Sequence, residues 1–177
     1  MCVDFIMKNL KLIISLSILF FPFGSIAQNP DKDKITFIKA QYASINQNVS
    51  SYKEATKNDG NVTTEGGEVK LYLDTEIRKI SAVHYGETGK INEEYYFLDN
   101  RLIFYYSVEE KYKRPISITS KVEISKKIEN KYYFDKNLLI KYICKPIKQM
   151  DNEEMKKEAV KTQTETKRLL SLFINKS

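Results

Sequence analysis

The sequence predicts an α+β fold: an antiparallel meander of about six strands, built as three hairpins, with an N-terminal and a C-terminal helix packed on the sheet. Three observations carry this prediction. An apolar stripe of helical period occupies residues 31–57, an aromatic hairpin sequence occurs twice within residues 66–145, and a second helical stripe spans residues 151–174.

The chain has 177 residues, room for one domain and a targeting segment. Lys8 and Lys11 precede an apolar run from Leu12 to Phe21. Pro22 and Gly24 follow, then Ser25-Ile26-Ala27 ahead of Gln28. A basic start, a short apolar stretch and small residues before the cut describe a secretory signal peptide over residues 1–27. Ten to twelve residues rise only about 15–18 Å as a helix, against a bilayer core of about 30 Å. Cleavage is therefore expected after Ala27, leaving residues 28–177 as a single periplasmic or secreted domain. Membrane association is expected only if the leader stays uncleaved. Cys2 lies before the apolar run and no Cys follows at the cut, so lipid attachment there is not supported. Only Cys144 remains afterwards, which precludes an internal disulfide. Loss of Lys8, Lys11 and Asp4 takes 29 basic residues to 27 and 23 acidic residues to 22, leaving a net charge of +5.

The first helix follows. Ile35, Ile38, Tyr42, Ile45, Val49 and Tyr52 recur at alternating steps of three and four, one stripe of an amphipathic helix. Asp31 or Asp33 caps its start and Asn58-Asp59-Gly60 stops it.

The sheet region is dense in Tyr, Ile, Val and Phe, with turn residues between the runs. Glu93–Tyr106 aligns with Asn130–Ile143 at an offset of 37, with seven of fourteen positions identical. Each copy reads as strand, two-residue turn, strand. The turns are Asp99-Asn100 and Lys136-Asn137, because Asn tolerates the positive φ of tight hairpins. A fainter copy enters a turn at Asp74-Thr75 and leaves it at Ile77. In the first full copy, register from the turn pairs Phe97 with Leu102, Tyr96 with Ile103 and Tyr95 with Phe104. Strict alternation then places Tyr95, Phe97, Leu102, Phe104 and Tyr106 on one face, and Tyr96, Ile103 and Tyr105 on the other. Both faces are apolar. Hence something covers the second face, the sheet curls on itself, or that face is a binding surface.

In the last helix, Asp151 and Glu154 form a capping-box pattern. Met155, Ala159, Thr162, Thr166, Leu170 and Phe173 follow as a stripe.

The chemical inventory is thin. There is one His and no Trp. No His pair or Cys cluster has metal-ligand spacing, so no metal site or cofactor is expected. His84 and Glu87 lie beside the Gly86-x-x-Gly89 turn and mark a pocket that a small carboxylate-dependent hydrolase could use. Glu68, Glu93 and Glu94 are further acids, but Glu93 and Glu94 are adjacent in a strand and point to opposite faces. Gly66-Gly67 lacks the strand-to-helix context of a phosphate loop. The sheet lacks the basic–glycine–aromatic signature of RNA-binding strands, and export argues against nucleic acid. The basic excess suits solubility and acidic envelope components.

The segments Gly66-Gly67-Glu68, Tyr85-Gly86-Glu87-Thr88-Gly89-Lys90, Glu94-Tyr95-Tyr96-Phe97, Arg114-Pro115-Ile116, Tyr132-Tyr133-Phe134 and Asn137-x-Leu139-Ile140 resemble a group of exported proteins of Bacteroidota. The hairpins are also faintly similar to variant MORN-type repeats, whose turns carry a Gly; here Asn100 and Asn137 stand without one following. Neither resemblance implies an activity or catalytic residues.

The tyrosines are the most informative group, since Tyr joins apolar area to a hydrogen-bonding tip. Tyr96, Tyr105, Tyr133 and Tyr142 occupy equivalent positions of the two copies and are expected to share one face. The expected function is a non-enzymatic binding module whose Tyr-rich face meets a protein or glycan of the cell envelope. The alternative is the small hydrolase with its pocket near His84.

Overall fold

Seven strands form the sheet, one more than the hairpin pattern predicts, and the extra strand comes from the end of the expected first helix. The computed structural model describes residues 30–60, 63, 65–118 and 121–174. The expected leader and its cleavage point lie outside them, as do parts of the segments around Asn61 and Asn175. Helix α1 (Pro30–Gln47) ends about ten residues early and is followed by a short 3-10 turn, Val49–Ser51. The Asn48 main-chain N–H and side-chain amide both donate to the Ser44 carbonyl, at 3.1 and 2.9 Å. The first is the helix's own bond to the residue four back; the side-chain bond competes with helix continuation. Tyr52 is then extended, and strand β1 (Lys53–Asn58) pairs along β2 (Gly67–Leu73), from Lys53 opposite Leu73 to Asn58 opposite Glu68. The outer edge of β2 would otherwise leave main-chain groups unpaired. Val49 and Tyr52 keep the spacing of the stripe although both lie beyond α1, and Tyr52 still packs beside it.

The remaining strands are β3 (Ile77–Gly86), β4 (Gly89–Leu98), β5 (Arg101–Tyr112), β6 (Ile124–Asp135) and β7 (Leu138–Lys145). Every neighbour is antiparallel and the spatial order is the chain order. The two tight turns form as expected. Asp99 and Asn100 have φ of 50° and 56°, and Lys136 and Asn137 of 48° and 70°, the conformation that matches hairpin twist. The fainter copy has a three-residue connection instead, Asp74 to Glu76, between paired Leu73 and Ile77.

Beyond the turns the simple alternation fails, for one repeated reason. Phe97 pairs with Leu102, but Tyr96 pairs with Phe104, so Ile103 is an extra residue in β5. Ile140 is the extra residue in β7, between the Phe134–Leu139 and Tyr133–Lys141 pairs. Arg78 holds the same place in β3. A bulge leaves two consecutive residues opposite one and resets the alternation. Ile103 and Phe104 consequently sit on the same face, with Tyr96, while Tyr105 joins Tyr95 and Phe97 on the other.

Helix α2 (Asn152–Ser171) starts at the expected box: Glu154 N–H donates to the Asp151 carboxylate at 2.8 Å, and Asp151 N–H donates to the Glu154 carboxylate at 3.1 Å. The two helices lie on opposite faces. Ala159 and Leu169 of α2 pack on Val69, Leu71, Ile80, Tyr95, Phe97, Tyr132 and Phe134. Ile38 and Ile45 of α1 pack on Tyr96, Ile103, Phe104 and Tyr133. Leu169, fully buried, is the anchor missing from the expected stripe. Fully burying one such side chain contributes about 1.5–3 kcal/mol, so each helix is held mainly by its stripe. The apolar groups on both sheet faces are thereby accounted for: helices cover both.

Candidate functional site

The four expected contact tyrosines do not share a face. Tyr96 and Tyr133 lie beneath α1, 1% and 2% exposed, while Tyr105 and Tyr142 lie on the α2 side. The bulges at Ile103 and Ile140 cause the split, because each shifts the residues after it by one position. A tyrosine ladder does exist, with two different members. Tyr95, Tyr105, Tyr132 and Tyr142 are successive cross-strand neighbours on β4, β5, β6 and β7. Their ring centroids are 4.7, 5.1 and 5.0 Å apart, within the range of favourable aromatic pairs.

Between this ladder and α2 is a cavity of about 670 Å³, lined by His84, Glu93, Tyr95, Tyr105, Tyr132 and Glu165 among others. A second cavity of about 430 Å³ adjoins it over Tyr142, sharing Asn130, Tyr132, Glu158 and Lys161. Cys144 is buried in β7 and lines the second cavity. Together the two cavities run along the ladder, and their size suits a small ligand or a short segment of a longer one.

Glu93 organises the deep end. Its Oε1 accepts from the Tyr105 hydroxyl at 2.6 Å and the Tyr95 hydroxyl at 3.0 Å. Its Oε2 is 3.1 Å from His84 Nε2, an ion-pair contact whose geometry falls short of a hydrogen bond. Burial pushes the Glu93 carboxyl up, but His84, Tyr105 and Tyr95 together hold it below the usual range. For His84, the neighbouring Glu93 carboxylate raises the pKa and outweighs burial, which lowers it. Burial drives the Tyr95 and Tyr105 hydroxyls well above theirs. Glu94 points the other way, as expected from its place in the strand. It receives Lys79 at 2.6 Å and the Tyr96 hydroxyl at 2.7 Å, fixing the α1 side together with Asn46.

His84 is 5% exposed, buried rather than at a pocket edge. Its Nδ1 is 4.0 Å from Asp59 Oδ2. Gly67, opposite His84 in β2, makes this possible: a Cβ there would lie 2.8 Å from the Val83 carbonyl and 2.9 Å from His84 Nδ1. Asp59, 2% exposed, accepts both Nη groups of Arg168, at 3.0 and 2.5 Å. Arg168 also holds Glu165, and the two carboxylates raise its pKa further. This pair ties the β1–β2 connection to α2. Sequence reading missed it because 109 residues separate the partners; Asp59 read only as part of a helix stop. Glu87 does not join His84. It sits at the β3–β4 turn, where Ser117 donates to its carboxylate.

Among the described residues, no group of three or more His, Cys, Asp and Glu is placed to hold a metal ion, and no helix is long and apolar enough to cross a membrane. No family model, curated protein or solved structure matches the chain.

Proposed function

We propose that the protein is a non-enzymatic binding module, exported by its leader, that receives part of a protein or glycan of the cell envelope in the groove between the tyrosine ladder and α2. The observation that carries this reading is the ladder itself. Four adjacent strands each contribute one ring to one continuous floor, and two adjoining cavities open above it. Rings with polar tips, flanked by Asn130, Ser107 and carboxylates, are the lining that recognition sites use to combine apolar area with orientation.

The test blocks the groove from its accessible rim. Ile91 and Thr164 line the larger cavity and are exposed, so Ile91→Trp with Thr164→Trp fills it without touching the core. Wild type and variant are compared on a panel of purified envelope glycans and peptides, with far-UV circular dichroism as the folding control. Ligands bound by the wild type and lost by the folded variant support the groove; ligands bound equally by both overturn it.

The second reading, a carboxylate-dependent hydrolase, rests on His84 beside Glu93 in the same cavity. It is the weaker one. A carboxylate that accepts two phenolic hydroxyls and faces an imidazole is held charged, which makes it a poor proton donor. Turnover of an envelope glycan or peptide, abolished in Glu93→Gln, would favour it.

A further inference from the structure

The charge of the larger cavity runs against that of the chain, whereas the adjoining one is lined by Lys126, Lys148 and Lys161 against Glu158. The protein carries +6 overall, yet the larger cavity is lined by Glu93, Glu109, Glu158 and Glu165 against Lys161 and His84. Two of these acids are firmly engaged, Glu93 as described and Glu165 by Arg168. The other two are held less firmly, Glu158 by the Tyr132 hydroxyl and both by surface lysines. Glu158 is 3.9 Å from Lys161 and Glu109 is 3.4 Å from Lys111, both pairs with lysines more than half exposed. Ion pairs of that kind contribute little and rearrange readily.

The side-chain donors near the groove are mostly used internally. Tyr142 donates to Asn130, the Asn130 amide to Ser107, and the Thr162 hydroxyl to the Glu158 carbonyl. What remains on the walls is acceptor capacity on carboxylates, beside the exposed Lys161 ammonium. His84 lines the cavity almost fully buried, and neither of its ring nitrogens makes a hydrogen bond, the Glu93 and Asp59 carboxylates standing 3.1 and 4.0 Å away. A buried imidazole in that condition is left with unmet bonding capacity. The rings of Tyr95, Tyr105 and Tyr132, tilted by 40° and 52° from one to the next, add the quadrupole that attracts cations.

We infer that the larger cavity of the groove takes a cationic organic group, the ammonium or guanidinium of a Lys or Arg side chain carried by a peptide. This rests on the groove being a binding site and selects among its possible ligands. The group would be received by Glu109 and Glu158 and drawn toward Glu93. Glu93 of β4, Asp59 of the β1–β2 connection and Glu165 of α2 all face His84, and Arg168 bridges the last two. A ligand cation competes with the His84 proton for this negative field, so affinity should rise with pH as His84 titrates.

The experiment uses the full chain and three probes: an acetylated, amidated Gly-Lys-Gly peptide, its norleucine counterpart, and maltotriose as a neutral polyol. Binding is followed by amide chemical shifts of Glu93, Ser107 and Asn130. The expected result is binding of the Lys peptide alone, tighter at about pH 8 than at about pH 5.5. The double variant Glu109→Gln with Glu158→Gln should weaken it by roughly tenfold, the loss of a charge-assisted contact, with thermal unfolding unchanged. Equal binding of the norleucine peptide, or binding of maltotriose alone, overturns the cationic ligand and leaves the groove standing. No shift with any probe overturns both.

Discussion

At the residue scale, the Asp59–Arg168 pair and the His84–Glu93 pair decide the behaviour of the α2 side. Asp59 is buried and its charge is answered by one guanidinium. Removing that partner strands a buried carboxylate, so Arg168→Met is expected to cost about 3 kcal/mol. Asp59→Asn on that background should recover part of the loss; urea unfolding of the single and double variants measures this. The imidazole–carboxylate pair gives a pH signature. His84 is raised above its ordinary 6.5, chiefly by Glu93. Its contribution to stability is therefore fully present below pH 6.5 and is lost as pH rises through the raised value. Glu93 is held below its ordinary 4.5. Its contribution is present above pH 4.5 and is lost as pH falls through the lowered value. Thermal midpoints should peak between these limits. In His84→Asn the alkaline decline attributed to this pair should disappear, and its persistence would remove the assignment.

At the scale of elements, the hairpins rest on two left-handed turn pairs. Asn137, at φ 70°, is held in a conformation that β-branched residues resist. Asn137→Val should destabilise by about 1–2 kcal/mol, while Asn137→Gly should be tolerated or mildly stabilising. Chemical denaturation distinguishes the two. These turns were legible in the sequence because Asn at a tight turn has a local cause. The α2 cap was legible for the same reason, since Asp151 and Glu154 satisfy each other within one turn. The bulges were not. Ile103 and Ile140 are the same residue at equivalent positions of the two copies, but Arg78 is unlike them and an Ile in a strand does not mark a bulge; each bulge is selected by how paired strands fit their neighbours. The true end of α1 was hidden likewise, because Val49 and Tyr52 continue the stripe while the free edge of β2 recruits Lys53–Asn58.

For the whole molecule, a sheet covered on both sides has two cores. The sheet separates the cluster around Leu169 from the cluster around Ile38. Leu169→Ala and Ile38→Ala should each cost about 2–5 kcal/mol, and the double variant should equal their sum within about 0.5 kcal/mol. A double-mutant cycle by denaturant unfolding checks this; a large coupling would mean that the sheet transmits repacking from one face to the other. The same arrangement explains the asymmetry of the faces. On the α1 side, Lys79, Glu94, Asn46 and Tyr96 satisfy one another. On the α2 side, the ladder leaves room beneath the helix.

The amino-acid sequence alone determined the α+β class, the antiparallel hairpins, the tight turns and the cap of α2. Each of these is set by backbone preference or side-chain period over a few residues. Tertiary structure decided which tyrosines form the ladder, that the helices take opposite faces, and that Asp59 and Arg168 meet beside His84. A one-residue bulge inverts every side chain beyond it, and a pair separated by more than a hundred positions leaves no local trace.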